Sequence, residues 1–248
     1  MSTPPAMKRL IVGTRAVAEA IRANASDISI VYVAEEARRD LAELAETAQR
    51  QKVPVEERSA AELEKLAKGL KHQGVIAITG SYSYLSLEEL LEKLPERALL
   101  VALDEITDPH NFGAIVRSAV ALGADGLITL KHRAAPVTPV VVRASAGATE
   151  HARIARVANL VLTLDQLRDR DFDVLGLAGE GATDLAQYRD SGRSRVLVVG
   201  SEGKGLRRLT REHCSELLRI PMLGPIESLN ASVAAAIALY ALKTHEKS

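Results

Sequence analysis

The chain has 248 residues with 32 Lys+Arg against 32 Asp+Glu, so no global field draws it to nucleic acid or to an anionic membrane, and any such binding needs a local patch. A single cysteine, Cys214, excludes an internal disulfide, and the lack of Trp with few Phe and Tyr argues against a module that stacks bases on aromatic platforms. No apolar run approaches membrane-spanning length and Met1-Ser-Thr-Pro-Pro-Ala6 lacks the pattern of a secretory signal, so a cytoplasmic location is expected.

From Val12 the pattern Gly13 to Ile21 predicts a short helix, and the apolar run Ile28 to Val33 a strand. Glu35 to Gln51 is charged, with Leu41, Leu44, Ala45 and Ala48 at helical spacing. Val53-Pro-Val55 reads as a short strand, Ala60 to Leu70 as a helix and Gln73 to Thr79 as another strand. Strands alternating with helices make a small α/β domain over residues 1–80. Gly80 to Tyr84 and a charged, Leu-rich helix ending before Pro95 form a linker, 81–95, ahead of a second domain, 96–248.

In that second domain Ala98 to Leu103 is a buried strand, Asn111 to Leu122 a helix closed by Gly123, and Gly126 to Leu130 a strand. Val137 to Ala148 reads as a helix, or as extended chain over Thr138-Pro-Val-Val-Val142. Asp173 to Ala178 and Val196 to Gly200 are strands that run into glycine-bearing loops. Near-continuous Val/Leu strands followed by helices imply a mostly parallel sheet covered on both faces. Ligands of such sheets bind beyond the carboxyl ends of the strands. Ile220-Pro-Met reads as a short buried strand, followed by a Gly-Pro loop and a helix that starts at Ser228-Leu-Asn230. Val233 to Leu239 is apolar or small on every side, so this helix is expected to be interior. Polar residues at the mouth of an interior helix mark a site, the joint of an oligomer, or both.

Several strand-end stretches carry chemistry-bearing residues. Asp108-Pro109 is a helix-start device, with Asn111 at the start and Arg117 on the helix behind; alone they read as a cap and a solvated arginine. Gly176-Leu-Ala-Gly-Glu-Gly181 fails the dinucleotide fingerprint, because Asp184 stands where the third glycine belongs. Val198 to Leu206 fails as a P-loop, because Gly205 replaces the Ser/Thr that would hold magnesium. What remains there is a glycine loop with one carboxylate, Glu202, and a basic stretch of Lys204, Arg207, Arg208 and Arg211. The histidines are scattered without ligand spacing, so no metal site is expected. Cys214, on a predicted helix, reads as structural.

In order, Asn111-Phe-Gly-Ala-Ile-Val-Arg117, Gly200-Ser-Glu-Gly203, and Ile220-Pro-Met with Ser228-Leu-Asn230 resemble the three motifs of SpoU (TrmH-type) RNA ribose 2′-O-methyltransferases, members of the SPOUT superfamily. The resemblance covers residues 96–243; Leu223-Gly-Pro-Ile226 departs from the third motif. Gly13 to Ile21 and His72-Gln-Gly-Val75 resemble the small ribosomal-protein-like RNA-binding domain of the branch that methylates a guanosine of 23S rRNA. The resemblance implies an α/β catalytic domain with a trefoil knot and homodimers joined at the knot. It implies S-adenosylmethionine held by Leu177, Ala178, Gly179, Gly200, Ser201, Gly203, Ile220, Met222 and Leu229. Catalysis would rest on Asn111, Arg117, Glu202, Ser228 and Asn230, and RNA contact on the first domain with Arg15, Arg143 and Arg207. The implied activity is S-adenosylmethionine-dependent 2′-O-ribose methylation of RNA, foremost of a guanosine of 23S rRNA, with no DNA, membrane or metal involved. The alternatives are a tRNA or resistance-type rRNA 2′-O-methyltransferase, or a non-catalytic RNA-binding assembly factor of the ribosome on the same fold.

Overall fold

The computed structural model describes residues 8–245. The chain opens with β1 (Arg9–Val12) and α1 (Thr14–Asn24), where Ala16, Val17, Ala20 and Ile21 lie on one face and are buried. Then come β2 (Ile28–Ala34), α2 (Ala42–Arg50), β3 (Val55–Arg58), α3 (Ala60–Ala67), β4 (Val75–Thr79) and α4 (Leu87–Leu91). Both α3 and α4 begin with a capping box, Ser59 with Glu62 and Ser86 with Glu89. The serine hydrogen bonds hold both glutamate carboxyls below their ordinary pKa. The series continues with β5 (Leu99–Asp104), α5 (Pro109–Ala121), β6 (Gly126–Leu130), α6 (Pro139–Ala144), β7 (Ile154–Val157), α7 (Leu160–Arg168) and β8 (Phe172–Leu177). It closes with β9 (Thr183–Asp184), β10 (Ser194–Gly200), α8 (Arg208–Glu212), β11 (Glu216–Arg219) and α9 (Ala231–His245).

Two compact units divide these elements: one takes in the described residues up to Ser83 together with Pro136–His151, the other Tyr84–Ala135 and the chain from Ala152 onward. In the first unit the strand order is β1-β4-β2-β3, with β4 antiparallel to β1 and β2 and β3 parallel to β2. Val12, Ala34, Leu63, Ala67 and Ile76 form part of its core. The inserted segment 136–151 is fastened there by specific contacts. Arg9 donates to both carboxylate oxygens of Glu150, at 2.8 and 2.7 Å, with the two side chains only 10% and 12% exposed. Gly147, at φ 88°, lies so close to α1 that a Cβ there would sit 2.9 Å from Ala16 Cα.

In the second unit seven strands run in the order β7-β6-β5-β10-β8-β11-β9, and every neighbouring pair is parallel. Such strands are buried on both faces, which is why they read as unbroken Val/Leu/Ile runs; Leu100, Ala102, Ile128, Val174, Val196 and Val198 share one core. The chain builds outward from β5 to β7 and then, from β8 on, occupies the other side, with β10 set between β5 and β8. That reversal is where doubly wound sheets open a crevice. On β10, Arg195 is fully buried; its guanidinium donates to the Leu242 carbonyl of α9 at 3.1 Å and lies 3.3 Å from Asp190, which ties the last helix to the sheet.

The structure corrects the sequence reading in several places. α9 is not interior all round: Val233, Ile237 and Tyr240, spaced to share one face, are 47%, 40% and 63% exposed. The strand expected at Ile220 ends one residue earlier, as β11, because Pro221 can donate no ladder hydrogen bond. β3 starts at Val55 rather than Val53, and the helix expected over Glu35 to Gln51 is a 3₁₀ turn at Glu35–Ala37 followed by α2 alone. Of the two readings of Val137 to Ala148, the helical one is present as α6, capped by the Thr138 hydroxyl with Pro139 at its first position. Cys214 follows α8 rather than lying on it.

Candidate functional site

A cavity of about 770 Å³ opens beyond the carboxyl ends of β8, β10 and β11, of the size that takes a small-molecule cofactor. Three loops line it. Leu177, Ala178 and Gly179 come from the end of β8; Gly200, Ser201, Glu202 and Gly203 from the end of β10; Ile220, Met222, Ser228 and Leu229 from the irregular stretch between β11 and α9. Parallel strands put all these loops on one edge of the sheet, although they are far apart in the chain.

The middle loop is shaped by backbone packing. Gly205 N donates to Ser201 O at 2.9 Å, and the turn between them uses positive φ at Gly203 (74°) and Gly205 (63°). The returning chain passes so close over Gly200 that a Cβ there would stand 2.2 Å from the Gly205 carbonyl carbon. No side chain fits that contact, so the loop shape requires a glycine at 200.

Beside the cavity a polar group is built around Asn230. Its Oδ1 accepts from Ser232 N at 2.9 Å and Ser232 Oγ at 2.6 Å, capping α9. That fixes the amide orientation, so Nδ2 faces outward and donates to Asn111 Oδ1 at 2.9 Å and to Glu202 Oε1. Asn111 is held in turn by Asp108, the cap of α5, whose Oδ2 accepts from Asn111 N at 2.8 Å. The caps at Asp108 and Asn230 thus bring Asn111 of α5 and Asn230 together with Glu202 of the loop after β10.

The remaining sequence-derived residues fall elsewhere. Arg117 lies six residues past Asn111, about 9 Å further along α5. It is exposed, does not line the cavity, and has no hydrogen bond or ion pair among the described residues. Arg15 and Arg143 are exposed residues of the first unit. Arg207 is not a free cation: Nε donates to Asp104 Oδ1 at 2.6 Å, its backbone N to Oδ2 at 2.9 Å, and its guanidinium lies 3.2 Å from Glu105. Asp104 is fully buried, so that pairing is obligatory rather than an exposed convenience. The sequence reading missed Asp104, although a carboxylate closing the apolar strand Leu-Leu-Val-Ala-Leu-Asp was a visible signal. It also missed the lip of the cavity, where Glu180 pairs with Arg211 and Asp184 with Arg219. Cys214 is partly buried near Asp104, and burial first, then that carboxylate, pushes its thiol up to about 12.

Comparison with known proteins agrees with this geometry. Residues 98–240 match the SpoU rRNA Methylase family, and residues 10–85 match the family described as RNA 2′-O ribose methyltransferase substrate binding. The 23S rRNA (guanosine-2′-O-)-methyltransferase RlmB of Bordetella pertussis is 40% identical over 95% of this chain and 96% of its own length. The SpoU methyltransferase AviRb of Streptomyces viridochromogenes, crystallised with AdoMet, superposes with a TM-score of 0.80 at 29% identity, covering 97% of this chain and 91% of that one. An AdoMet-bound rRNA methyltransferase from Sinorhizobium meliloti gives a TM-score of 0.79 at 26% identity, covering 96% of this chain and 87% of that one. The three motifs, the parallel sheet that gathers them and the matched span together make this chain a member of the SpoU rRNA methylase family.

Proposed function

We propose that this protein transfers a methyl group from S-adenosylmethionine to the 2′ oxygen of a ribose in RNA, with a guanosine of 23S rRNA as the target. The observation that carries the reading is the convergence of three strand-end loops on one cavity, with Asn111, Glu202 and Asn230 joined at its edge. The match to a family of rRNA methylases and the name of the Bordetella relative support the reaction and the target. The AdoMet held by the Streptomyces and Sinorhizobium structures supports the cofactor.

The residues present fit that cofactor. A Cβ on Gly179 would meet nothing within 4 Å, so the backbone there is open to a close approach from the cavity. Leu177, Ile220, Met222 and Leu229 supply apolar surface for a purine, and Glu202 and Ser228 supply polar groups. When bound, S-adenosylmethionine supplies a methyl already activated on a sulfonium. The protein's work is therefore to align the ribose and to ease loss of the hydroxyl proton. Asn230, its amide held by Asn111, donates to the Glu202 carboxylate and keeps it in place, and Ser228 stands on another loop lining the same cavity. The Arg117 guanidinium carries N–H donors and no acceptor, so it acts as a donor, stabilising negative charge on the 2′ oxygen or its neighbouring phosphate.

Arg117 stands outside the cavity of its own chain, so the reading includes a homodimer. A partner docked along α5 and α9 covers the exposed stripe of Val233, Ile237 and Tyr240 and lets Arg117 of one copy serve the cavity of the other. The segment from β11 to α9 is read as threaded in the trefoil knot of the family. RNA is gripped by the first unit, through Arg15 and Arg143. No helix among the described residues is long and apolar enough to cross a membrane, and an rRNA target places the protein in the cytoplasm. Mapping 2′-O-methyl positions in rRNA and tRNA from a deletion strain, with and without the chain restored, tests the reading. Loss and recovery of one methylated guanosine in 23S rRNA is the expected result. An unchanged map contradicts it, and a change confined to tRNA replaces the target.

A further inference from the structure

A second cleft, of about 490 Å³, opens on the same edge of the sheet, beyond the carboxyl ends of β6 and β7. The chain at 206–209 divides the two: Leu206 lines the first cavity, while Arg207, Arg208 and Leu209 line the second. Nothing in the three motifs accounts for this cleft.

Its walls have two chemistries. Leu209 is 50% exposed and stands with Val161 on the aliphatic side; Leu162, on the neighbouring α7, is 60% exposed. Arg133, from the loop after β6, and Arg208, at the start of α8, supply the cationic side. Their ion pairs separate them from Arg207. Arg133 lies 2.9 Å from Glu105 with its side chain 68% exposed, and Arg208 lies 2.6 Å from Glu212 with its side chain 76% exposed. The Arg208–Glu212 pair is open to solvent on both sides and exchanges partners readily, and Arg133 meets the mostly covered Glu105 through one end of an exposed guanidinium, whereas Arg207 is committed to buried Asp104. Arg133 and Arg208 are therefore available to a phosphate, which takes two parallel N–H bonds from a guanidinium.

The backbone supports a specified site. Glu105 (φ 58°) and Arg133 (φ 57°) are both non-glycine residues in the left-handed region, and they are the two arms of one ion pair that also touches Arg207. The pair ties the loop after β6 to the chain after β5 and so fixes where Arg133 stands at the cleft. A cation and an uncovered aliphatic wall in one cleft match a ligand with an anionic group and an apolar face. A nucleotide has both. A free phosphate makes no use of Leu209 and Val161.

We propose that this cleft binds a nucleotide of the RNA substrate flanking the one that is methylated, its phosphate held by Arg133 and Arg208 and its base laid against Leu209 and Val161. The proposal rests on the functional reading above. It predicts that the cleft sets the affinity for RNA and leaves cofactor binding and the chemical step alone.

The test compares the full chain with the double variant Arg133→Glu/Arg208→Glu, with Leu209→Ala, and with Arg170→Glu as a charge control on exposed chain elsewhere in the second unit. Each is assayed on a 23S rRNA transcript and on total tRNA for KM and kcat of methyl transfer, for RNA affinity across a salt series, and for S-adenosylmethionine affinity by calorimetry. The double variant is expected to raise KM for RNA at least tenfold and to flatten the salt dependence by one to two ions, with kcat and cofactor affinity within twofold of wild type. Leu209→Ala is expected to raise KM severalfold without altering the salt slope, which a purely electrostatic patch would not do. Folded variants with wild-type KM, or a control that loses as much affinity as the double variant, overturn the cleft while leaving the functional reading intact. A wild-type chain that methylates neither RNA overturns the functional reading, and the cleft falls with it.

Discussion

The two units share capping boxes, ion pairs and close glycine contacts but differ in their sheets, and that difference separates what each can do. The first unit has a mixed four-stranded sheet, with the bidentate Arg9–Glu150 pair fastening segment 136–151 to β1. The second has seven strands, parallel throughout, with every loop of one kind on one edge. Its parallel strands end in loops so tightly folded that Gly200 leaves no room for a Cβ, and both clefts described above lie at those loop ends. A unit that presents arginines on its surface suits recognition of RNA shape and phosphates. A unit whose strand ends enclose a cavity suits holding a small molecule in one pose.

Substitutions in one unit should therefore leave the function of the other standing, and the largest effect belongs to the chemistry. Arg117→Ala should reduce methyl transfer by about two to three orders of magnitude, the usual cost of removing a preorganised donor. Cofactor affinity by calorimetry should stay near wild type. Mixing Arg117→Ala chains with Glu202→Ala chains should restore part of the activity, because one hybrid site then carries both residues. No recovery would place Arg117 and Glu202 in the service of the same chain's cavity.

Gly200→Ala tests the backbone argument. It should abolish S-adenosylmethionine binding and lower stability by about 1–3 kcal/mol, the range for overpacking. RNA affinity carried by the first unit should fall much less. An alanine variant with normal cofactor affinity would show that the loop is not shaped by contact with Gly205. In the opposite direction, Arg15→Glu with Arg143→Glu should weaken RNA binding roughly tenfold and reduce its salt dependence by about two ions, with cofactor binding untouched. A change in cofactor affinity would break the division between the units.

Asn230→Ala removes both a helix cap and the link to Glu202. It should cost about 1 kcal/mol of stability, read as a small drop in Tm, and slow transfer more than that loss explains. The smallest effect concerns Cys214, whose thiol is pushed up to about 12. Its folded pKa is raised above the unfolded value, so its contribution is intact at neutral pH and fades as pH rises from about 8.5 towards 12. Alkylation of native protein at pH 8 should be slow and should accelerate on unfolding. Fast native labelling would mean the site is open.

What was legible in the sequence is what local chemistry dictates. The strands of the large sheet announced themselves as unbroken apolar runs, and the glycines around 200–205 marked a loop that no bulky residue fills. Ser228-Leu-Asn230 marked the start of α9. What was not legible depended on partners far along the chain. Arg207 reads as a free basic residue until Asp104, 103 positions earlier, is seen to claim it. The attachment of segment 136–151 to the first unit rests on Arg9 and Glu150, 141 positions apart. β7 was missed because it is short and interrupted by Arg156, and its strand form rests on pairing with β6 and on Leu85 at its other edge. α9 was misjudged for another reason: an all-apolar helix is covered on every side only if enough chain is present to cover it, and a single copy leaves Val233, Ile237 and Tyr240 in the open.

The most direct test of the account is the fate of the methyl group. The purified chain, incubated with S-adenosylmethionine labelled on the methyl and a 23S rRNA transcript, should place the label in one nucleoside after complete digestion, 2′-O-methylguanosine. Label recovered in a base, or none in RNA while the cofactor is bound, would contradict it.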